Sequence, residues 1–130
     1  MSGFSDALAI SASGLRAQSQ RLRHLSENIA NADTPGYRRK TVAFREIVAG
    51  DGPAGRIEAG PVRLDAAEPQ KIYDPSHPLA DESGFYAGSN VNLVIELADA
   101  REAQRSYEAN LKMFEQSRAM ARSLFELLRR

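Results

Sequence analysis

The sequence predicts a mainly α-helical fold, in which two long terminal helices pair as an antiparallel coiled coil and enclose a small irregular or β-structured middle. All six prolines lie between residues 35 and 78, and seven of the nine glycines lie between residues 36 and 88. Apolar residues recur at spacings of three and four in both proline-free ends, which is the helical period. Because proline interrupts helices, we place one helix within residues 1–32, a middle with a short β-hairpin at residues 33–89, and the second helix of the same helical domain within residues 90–130.

The N-terminal segment predicts a helix from about Ser5 to Ala32. The sequence at residues 33–36 ends it, because the residue before a proline avoids the α region. Gly14 costs roughly 1 kcal/mol inside a helix, so it marks either a close contact with another backbone or a tolerated weak point. The narrow apolar stripe predicts a helix-pairing seam formed by Leu8, Leu15, Leu22, Leu25 and Ile29.

The C-terminal segment predicts a longer helix. Asn90 or Asn92 caps its first turn, since a short polar side chain accepts hydrogen bonds from the free N–H groups there. A helix over residues 92–130 would be roughly 58 Å long at 1.5 Å per residue, so it needs a partner along its whole length. Its side of the helix-pairing seam consists of Leu93, Leu97, Tyr107, Leu111, Phe114, Phe125 and Leu128.

A second apolar stripe follows the same spacing on another face of the C-terminal helix. It is either part of one wide stripe buried in a small bundle, or a contiguous apolar patch of the kind that marks an interface. The chain offers only two long helices, which favours the interface. We therefore predict an intersubunit seam formed by Met113, Met120, Leu124 and Leu127.

The middle carries weak strand signals, at residues 42–48, 62–64 and 72–73, with a turn signal at Asp51-Gly52. So few large apolar side chains form only a marginal core of their own. We expect a hairpin-like flap that packs against the helices, or a region that orders only in an assembly.

The composition gives little support to catalysis, to cofactor or metal binding, or to nucleic-acid binding. Positive and negative side chains number 17 each, whereas nucleic-acid binders are usually basic, and there is no cysteine to act as a nucleophile or metal ligand. The basic run at residues 37–40 therefore reads as a solvated turn. Of the two histidines, His24 reads as a surface residue. His77 lies in a proline-rich loop without the glycine–serine elbow of a hydrolase, although a hydrolase that uses His77 stays an alternative.

No apolar run reaches the 18 residues that a membrane span needs, so we expect no membrane insertion. The N-terminus does not resemble a secretory signal peptide, because Asp6 comes early and no compact apolar stretch leads to a cleavage site. The chain is therefore expected to stay in the cytoplasm unless a route without a cleaved signal exports it.

Residues 28–37, which read Asn-Ile-Ala-Asn-Ala-Asp-Thr-Pro-Gly-Tyr, resemble the segment that closes the N-terminal helix of bacterial flagellar rod and hook proteins. Residues 13–18 and 21–22 also resemble that family, whereas residues 41–72 carry no useful resemblance. The resemblance assigns the family motif to Asn28, Ala30, Asn31, Thr34, Gly36 and Tyr37.

The second half of the chain is similar to one of the two short proximal-rod members of this family. The similar segments are residues 73–78, 80–85, 90–97 and 105–110, and the companion proximal-rod protein stays the alternative within the family. Tyr86 and Ser89 depart from the family pattern, in which a small β-branched residue and a proline are common, and this leaves the path into the last helix in doubt.

The resemblance implies a structural subunit of the flagellar basal body that self-assembles and serves motility, not an enzyme. Its implied location is the periplasmic rod, reached by type III export without a cleaved signal peptide. Its implied partners are other rod subunits, copies of itself and the flagellar export apparatus, with no nucleic acid and no small-molecule substrate. A soluble helical-hairpin adaptor outside the flagellum remains the rival from another class.

Overall fold

The computed structural model describes residues 2–48 and 50–129 of the chain. Two long helices, α1 (Ser2–Ala30) and α2 (Leu93–Leu128), enclose six short strands. The prediction of two terminal helices with a small β-structured middle is therefore confirmed. The strands are β1 (Lys40–Thr41), β2 (Phe44–Glu46), β3 (Ile57–Ala59), β4 (Arg63–Leu64), β5 (Lys71–Tyr73) and β6 (Phe85–Ala87).

Local sequence explains where the helices end. The Asn92 side chain accepts hydrogen bonds from the backbone N–H groups of Val94 and Ile95, so it caps α2 as one of the two predicted candidates. After α1, the backbone turns through Gly36 at a φ of +73°, a left-handed conformation that only glycine adopts without strain.

The middle forms three separate two-stranded antiparallel sheets, which pair β1 with β4, β2 with β3, and β5 with β6. The β2–β3 sheet lies against α1, where the backbone N–H of Ile57 donates to Ser13 Oγ at 3.0 Å. Helix α1 is thus covered on one face by α2 and on another by β3. The part of the middle that lies against α1 thus consists of β3 and β1, and each belongs to its own small sheet.

Among the residues that the structure describes, the buried interior is made mostly of small and polar side chains. Ala17, Leu25 and Ala103 are its buried hydrophobic residues, and the largest fully buried side chains are those of Glu96, Asn28, Ser11 and Ser13. Small side chains let two helix backbones approach closely. The stability of the pair therefore depends on satisfying the polar groups inside it.

Three contacts between α1 and α2 define how the helices meet. A Cβ atom added at Gly14 would lie 2.7 Å from Oδ1 of Asn110, Arg21 lies 3.8 Å from Glu102, and Asn28 donates to Glu96. The residue numbers rise along α1 while they fall along α2. Gly14 is therefore a point of close contact between the helices, but its neighbour is the Asn110 side chain and not a backbone.

On α1, the predicted seam is buried at Leu25 and half-buried at its other four positions. On α2, Tyr107, Leu111 and Phe114 are half-buried, but Leu93, Leu97, Phe125 and Leu128 are exposed. In the single chain these four residues are thus not buried, and their part in the helix-pairing seam stays a prediction. The buried face of α2 is centred on Glu96 and Ala103, seven residues apart, and each residue turns a helix by about 100°.

Leu97 therefore points well away from the face that Glu96 occupies, and Leu93 lies at its margin. Phe125 and Leu128 have a different explanation. Helix α2, at 36 residues, is longer than α1, at 29 residues, by seven. Its last turns extend past the partner helix, so Phe125 stays 55% exposed and Leu128 69% exposed.

We predict that Gly14→Ala destabilises the chain by about 1 kcal/mol, because the added methyl group overlaps the Asn110 side chain and the clash outweighs the gain in helix propensity. Urea unfolding followed by circular dichroism measures the effect. In an Asn110→Ala background the same substitution is expected to stabilise the chain. A stabilising effect of equal size in both backgrounds would show that the helices do not approach closely at Gly14.

Candidate functional site

The end of α1, the chain that follows it and the start of α2 meet at a buried polar cluster, which we call the helix corner: Asn28, Tyr37, Arg39, Lys40 and Glu96. Asn28 is fully buried at its centre. Its Oδ1 atom accepts hydrogen bonds from the Lys40 N–H at 2.8 Å and the Tyr37 hydroxyl at 2.9 Å. Its Nδ2 atom donates to the Lys40 carbonyl at 2.9 Å and to Glu96 Oε2 at 3.3 Å. The Asn28 side chain therefore joins α1 both to the segment that follows it, at Tyr37 and Lys40, and to α2.

Glu96 is also fully buried, and a buried carboxylate needs partners that replace its lost hydration. Arg39 Nε donates to its Oε1 at 2.5 Å, while Asn28 occupies Oε2. Arg39 reaches further, to Asp65 at 3.1 Å and to Asp99 at 3.9 Å. Burial alone lowers the pKa of Arg39, but the hydrogen bonds to Glu96 and Asp65 outweigh it and raise that pKa, so the guanidinium stays charged.

A second ion pair covers the outside of the corner. Lys40 Nζ lies 2.6 Å from Glu27 Oε2. The hydrogen bond between them lowers the pKa of Glu27 and raises the pKa of Lys40. Desolvation raises the pKa of Tyr37, so its hydroxyl remains a donor to Asn28. At neutral pH, Arg39 and Lys40 are therefore charged and the Tyr37 hydroxyl keeps its proton.

The remaining polar motif residues shape the turn after α1. Asn31 donates through Nδ2 to the Glu27 carbonyl, and its Oδ1 accepts from the Thr34 hydroxyl. The Gly36 N–H donates to the Gly88 carbonyl. Two of the six predicted motif residues, Asn28 and Tyr37, therefore lie in the helix corner, and three more form hydrogen bonds in the turn beside it. Ala30 is exposed, and nothing in the structure explains its place in the motif.

The segment before α2 locks the corner from the other side. Asn90 accepts from the Arg39 N–H at 2.7 Å and donates to the carbonyls of Asp65 and Ala67. The Ser89 hydroxyl donates to the Ala32 carbonyl. Ser89 therefore continues the hydrogen bonding where the family pattern often has a proline, and the path into α2 is well defined.

The sequence did not reveal the roles of Arg39, Asp65, Asn90 and Glu96. Glu96 stands in the first turn of α2, where a carboxylate is ordinarily explained by the helix dipole. The one feature of the sequence that could have indicated its burial is its spacing of seven residues from Ala103, which places both residues on the same face of α2.

The predicted intersubunit seam is largely open to solvent in the single chain. Met113, Met120 and Leu127 are between 51% and 64% exposed. Leu124 is half-buried and lies closer to the α1 side of the helix than the other three. Three of the four residues therefore form an exposed apolar stripe along the second half of α2.

The His77 loop has no nucleophile–base pair. Ser76 Oγ donates to Asp74 at 2.6 Å, and His77 Nδ1 accepts the Leu79 N–H while its ring stacks on Tyr86 at 3.9 Å. His24 is half-buried beside Glu27, at 3.9 Å. Across residues 2–48 and 50–129, no three potential metal ligands cluster, and neither long helix has an apolar stretch sufficient to cross a membrane.

Comparison with known proteins places this arrangement in a family. A family described as "Flagella basal body rod protein" matches residues 8–38, and one described as "Flagellar basal body rod FlgEFG protein C-terminal" matches residues 82–127. The flagellar basal-body rod protein FlgC of Agrobacterium fabrum is 44% identical, with 99% of this chain and 98% of the relative covered. The chain belongs to the FlgC family of flagellar basal-body rod proteins.

Other FlgC proteins agree with this assignment. That of Escherichia coli O6:H1 is 35% identical over 85% of this chain and 87% of the relative. The FlgC protein of Borreliella burgdorferi is 30% identical, with 97% of this chain and 98% of the relative covered. The two short proximal-rod members that the sequence resemblance left open are FlgC and FlgB, and the preference for FlgC is confirmed. The FlgC family consists of structural rod proteins, which also weakens the hydrolase and adaptor alternatives.

We predict that Asn28→Asp destabilises the chain by about 3 kcal/mol, because a buried carboxylate oxygen would replace the amide donor that faces Glu96 and the Lys40 carbonyl. Asn31→Asp, three residues later, is the matched control and removes one donor at the half-buried helix end, for about 1 kcal/mol. Chemical denaturation measures both. Equal losses for the two variants would contradict the central role of Asn28.

We also predict an acid-sensitive contribution from Glu27. Because its pKa is lowered in the folded chain, its ion pair with Lys40 stabilises fully above the unfolded-state pKa of about 4.3 and loses this effect as pH falls. The melting temperature of Glu27→Gln is therefore expected below that of the parent at pH 7, and the gap closes as pH drops towards about 2. Glu115→Gln, at an exposed carboxylate, is the control and should show no such gap. A Glu27→Gln gap that stays constant with pH would be the contrary result.

Proposed function

We propose that this chain is a structural subunit of the proximal rod in the bacterial flagellar basal body, and that it polymerises through its paired N- and C-terminal helices. Its relatives carry the name flagellar basal-body rod protein, over nearly the full length of the chain. The observation that carries the mechanism is the unequal length of the helices. The apolar side chains at the end of α2 are more than half exposed in the single chain, so a neighbouring subunit is the natural cover.

The contacts between the helices support an antiparallel coiled coil. Gly14, Arg21 and Asn28 follow one another at intervals of seven along α1, and their partners on α2 are Asn110, Glu102 and Glu96. Intervals of seven are the coiled-coil repeat. Falling partner numbers along α2 are what oppositely directed helices give.

This register explains why assembly would be required. In each of these three pairs the two residue numbers add to about 124, as they do when two helices run in opposite directions. By the same rule, the start of α1 lies opposite about Arg122. The turns that follow expose Phe125, Leu127 and Leu128. Burying a large apolar side chain contributes about 1.5–3 kcal/mol, and intermolecular contact is the remaining way to gain it.

The stripe of Met113, Met120 and Leu127 supplies a second surface for neighbours. It continues into the uncovered end of α2, so one subunit presents apolar contacts along its side and at its tip. An exposed patch of this kind is typical of interfaces. Leu124 lies between this stripe and the α1 side, and we assign it to the intersubunit seam at the tip.

Rod assembly defines the remaining parts of the proposal. The partners are copies of this chain and other rod subunits, and the location is the periplasmic rod. The flagellar export apparatus would deliver the chain by type III export without a cleaved signal. The chain has no enzymatic role in this proposal, and nucleic acids, small-molecule substrates and membrane insertion have no part in it.

We predict that Met120→Asp abolishes rod assembly but leaves the isolated chain stable, because Met120 is exposed in the single subunit. Leu111→Asp should abolish assembly and also destabilise the chain, because Leu111 is half-buried between the helices. Swimming motility of a deletion strain that carries each variant reports assembly, and urea unfolding of the purified chain reports stability.

Ser123→Asp is the matched control, because it adds the same carboxylate at an exposed position that is already polar. It should retain both motility and stability. Full motility with Met120→Asp would refute the stripe as an interface. Full motility of the deletion strain itself would refute the rod function.

A further inference from the structure

The loop between β5 and β6, residues 74–84, is held in a fixed shape by its own side chains. Asp74 Oδ1 accepts hydrogen bonds from the backbone N–H and hydroxyl of Ser76. Asp81 Oδ1 accepts from the N–H groups of Ser83 and Phe85. The stack of His77 on Tyr86 fixes the loop against its strand. Such preorganisation lowers the entropy that binding would otherwise lose.

What the loop presents to solvent is apolar, with carboxylates beside it. Leu79 at its tip is 63% exposed. Two prolines precede it in the loop, and the exposed carboxylates of Asp81 and Glu82 follow it. None of the hydrogen bonds and ion pairs among residues 2–48 and 50–129 joins this loop to α2. A rigid loop that exposes a leucine beside negative charge is suited to a groove with an apolar floor and a positive rim.

The first turns of α2 provide such a groove. Its apolar floor consists of Val94, Leu97 and Ala98, and Arg101 and Arg105 lie along its rim. Val94 is 76% exposed. In the part of the chain that the structure describes, Arg101 and Arg105 form no ion pair, while Glu102, also at the groove, lies 3.8 Å from Arg21. The groove therefore combines exposed apolar side chains with two arginines that form no ion pair within the described part of the chain.

We infer that the β5–β6 loop of one subunit docks into the α2 groove of a second copy, with Leu79 on the apolar floor and Glu82 facing Arg101 and Arg105. The contact joins different surfaces of the two copies. A head-to-tail contact of this kind leaves a free loop and a free groove at the ends, so it extends into an open helical array unless it closes into a ring. This inference rests on the proposed self-assembly and identifies a surface separate from the stripe at Met113, Met120 and Leu127.

The absence of cysteine makes a direct test possible in the full-length chain. Purified Leu79→Cys and Val94→Cys variants are mixed at high concentration, oxidised and examined for a disulfide-linked heterodimer. We expect the heterodimer to form, and we expect a mixture of Leu79→Cys with Ser26→Cys, at an exposed position on α1, to give only background. Cross-linking at Ser26 as strong as at Val94 would show random collision and overturn the inference.

A charge exchange tests the rim. Arg101→Glu in the Val94→Cys chain should reduce cross-linking to background, and Glu82→Arg in the Leu79→Cys chain should restore it. Arg118→Glu, at an exposed arginine outside the groove on the same helix, is the matched control and should leave cross-linking unchanged. Loss without restoration would assign the effect to damage of α2 and overturn the pairing.

Sedimentation of the same samples separates this inference from the proposed function. Oligomers that form without the 79–94 cross-link would overturn the docking and leave self-assembly intact. The absence of any oligomer at high concentration would count against self-assembly and the docking together. Oligomers that lose size in the Arg101→Glu variant and regain it with Glu82→Arg would support both.

Discussion

The structure depends on a buried carboxylate, Glu96, that is neutralised by Arg39 and hydrogen-bonded by Asn28. Breaking a buried ion pair leaves an uncompensated charge, which costs several kcal/mol. This cluster determines where α1 ends against α2, since the surrounding interior contains few large apolar side chains. Hydrophobic burial alone would allow the helices to slide by a turn, whereas a polar cluster with fixed partners permits one alignment. Specific alignment is what a repeating assembly requires of each subunit.

Polar and apolar groups lie at opposite ends of the helix pair and have different roles there. The polar corner secures one end of the pair inside a single chain. The apolar tip of α2 lies at the other end, where Phe125 and Leu128 are more than half exposed. Solvent-exposed leucines and methionines are costly to keep unless a partner covers them. One end of the molecule thus defines its shape, and the other end is available for assembly.

The sequence alone predicted the two helices, a cap at Asn90 or Asn92, and the family, because proline placement, residue periodicity and the motif at residues 28–37 are local signals. It did not predict that Glu96 and Ala103 are the buried residues of α2, because the leucine spacing drew attention to Leu93 and Leu97. It also missed Arg39, Asp65 and Asn90, whose hydrogen bonds to one another span 25 to 51 positions in sequence. From sequence alone, a charged residue on a helix is expected to face solvent. Whether another segment covers it depends on the tertiary structure.

The long sequence separation of the corner has a kinetic consequence. Asn28 and Glu96 are 68 positions apart, and Arg39 and Glu96 are 57 apart, so closing these contacts requires closing large loops. Proteins with many distant contacts fold more slowly than simple helical hairpins. A growing or threaded chain cannot complete the corner until residue 96 is available, whatever its first helix does. Only once Glu96 is present do Asn28 and Arg39 gain the partner that joins the end of α1 to α2, so the last helix completes what the first one begins.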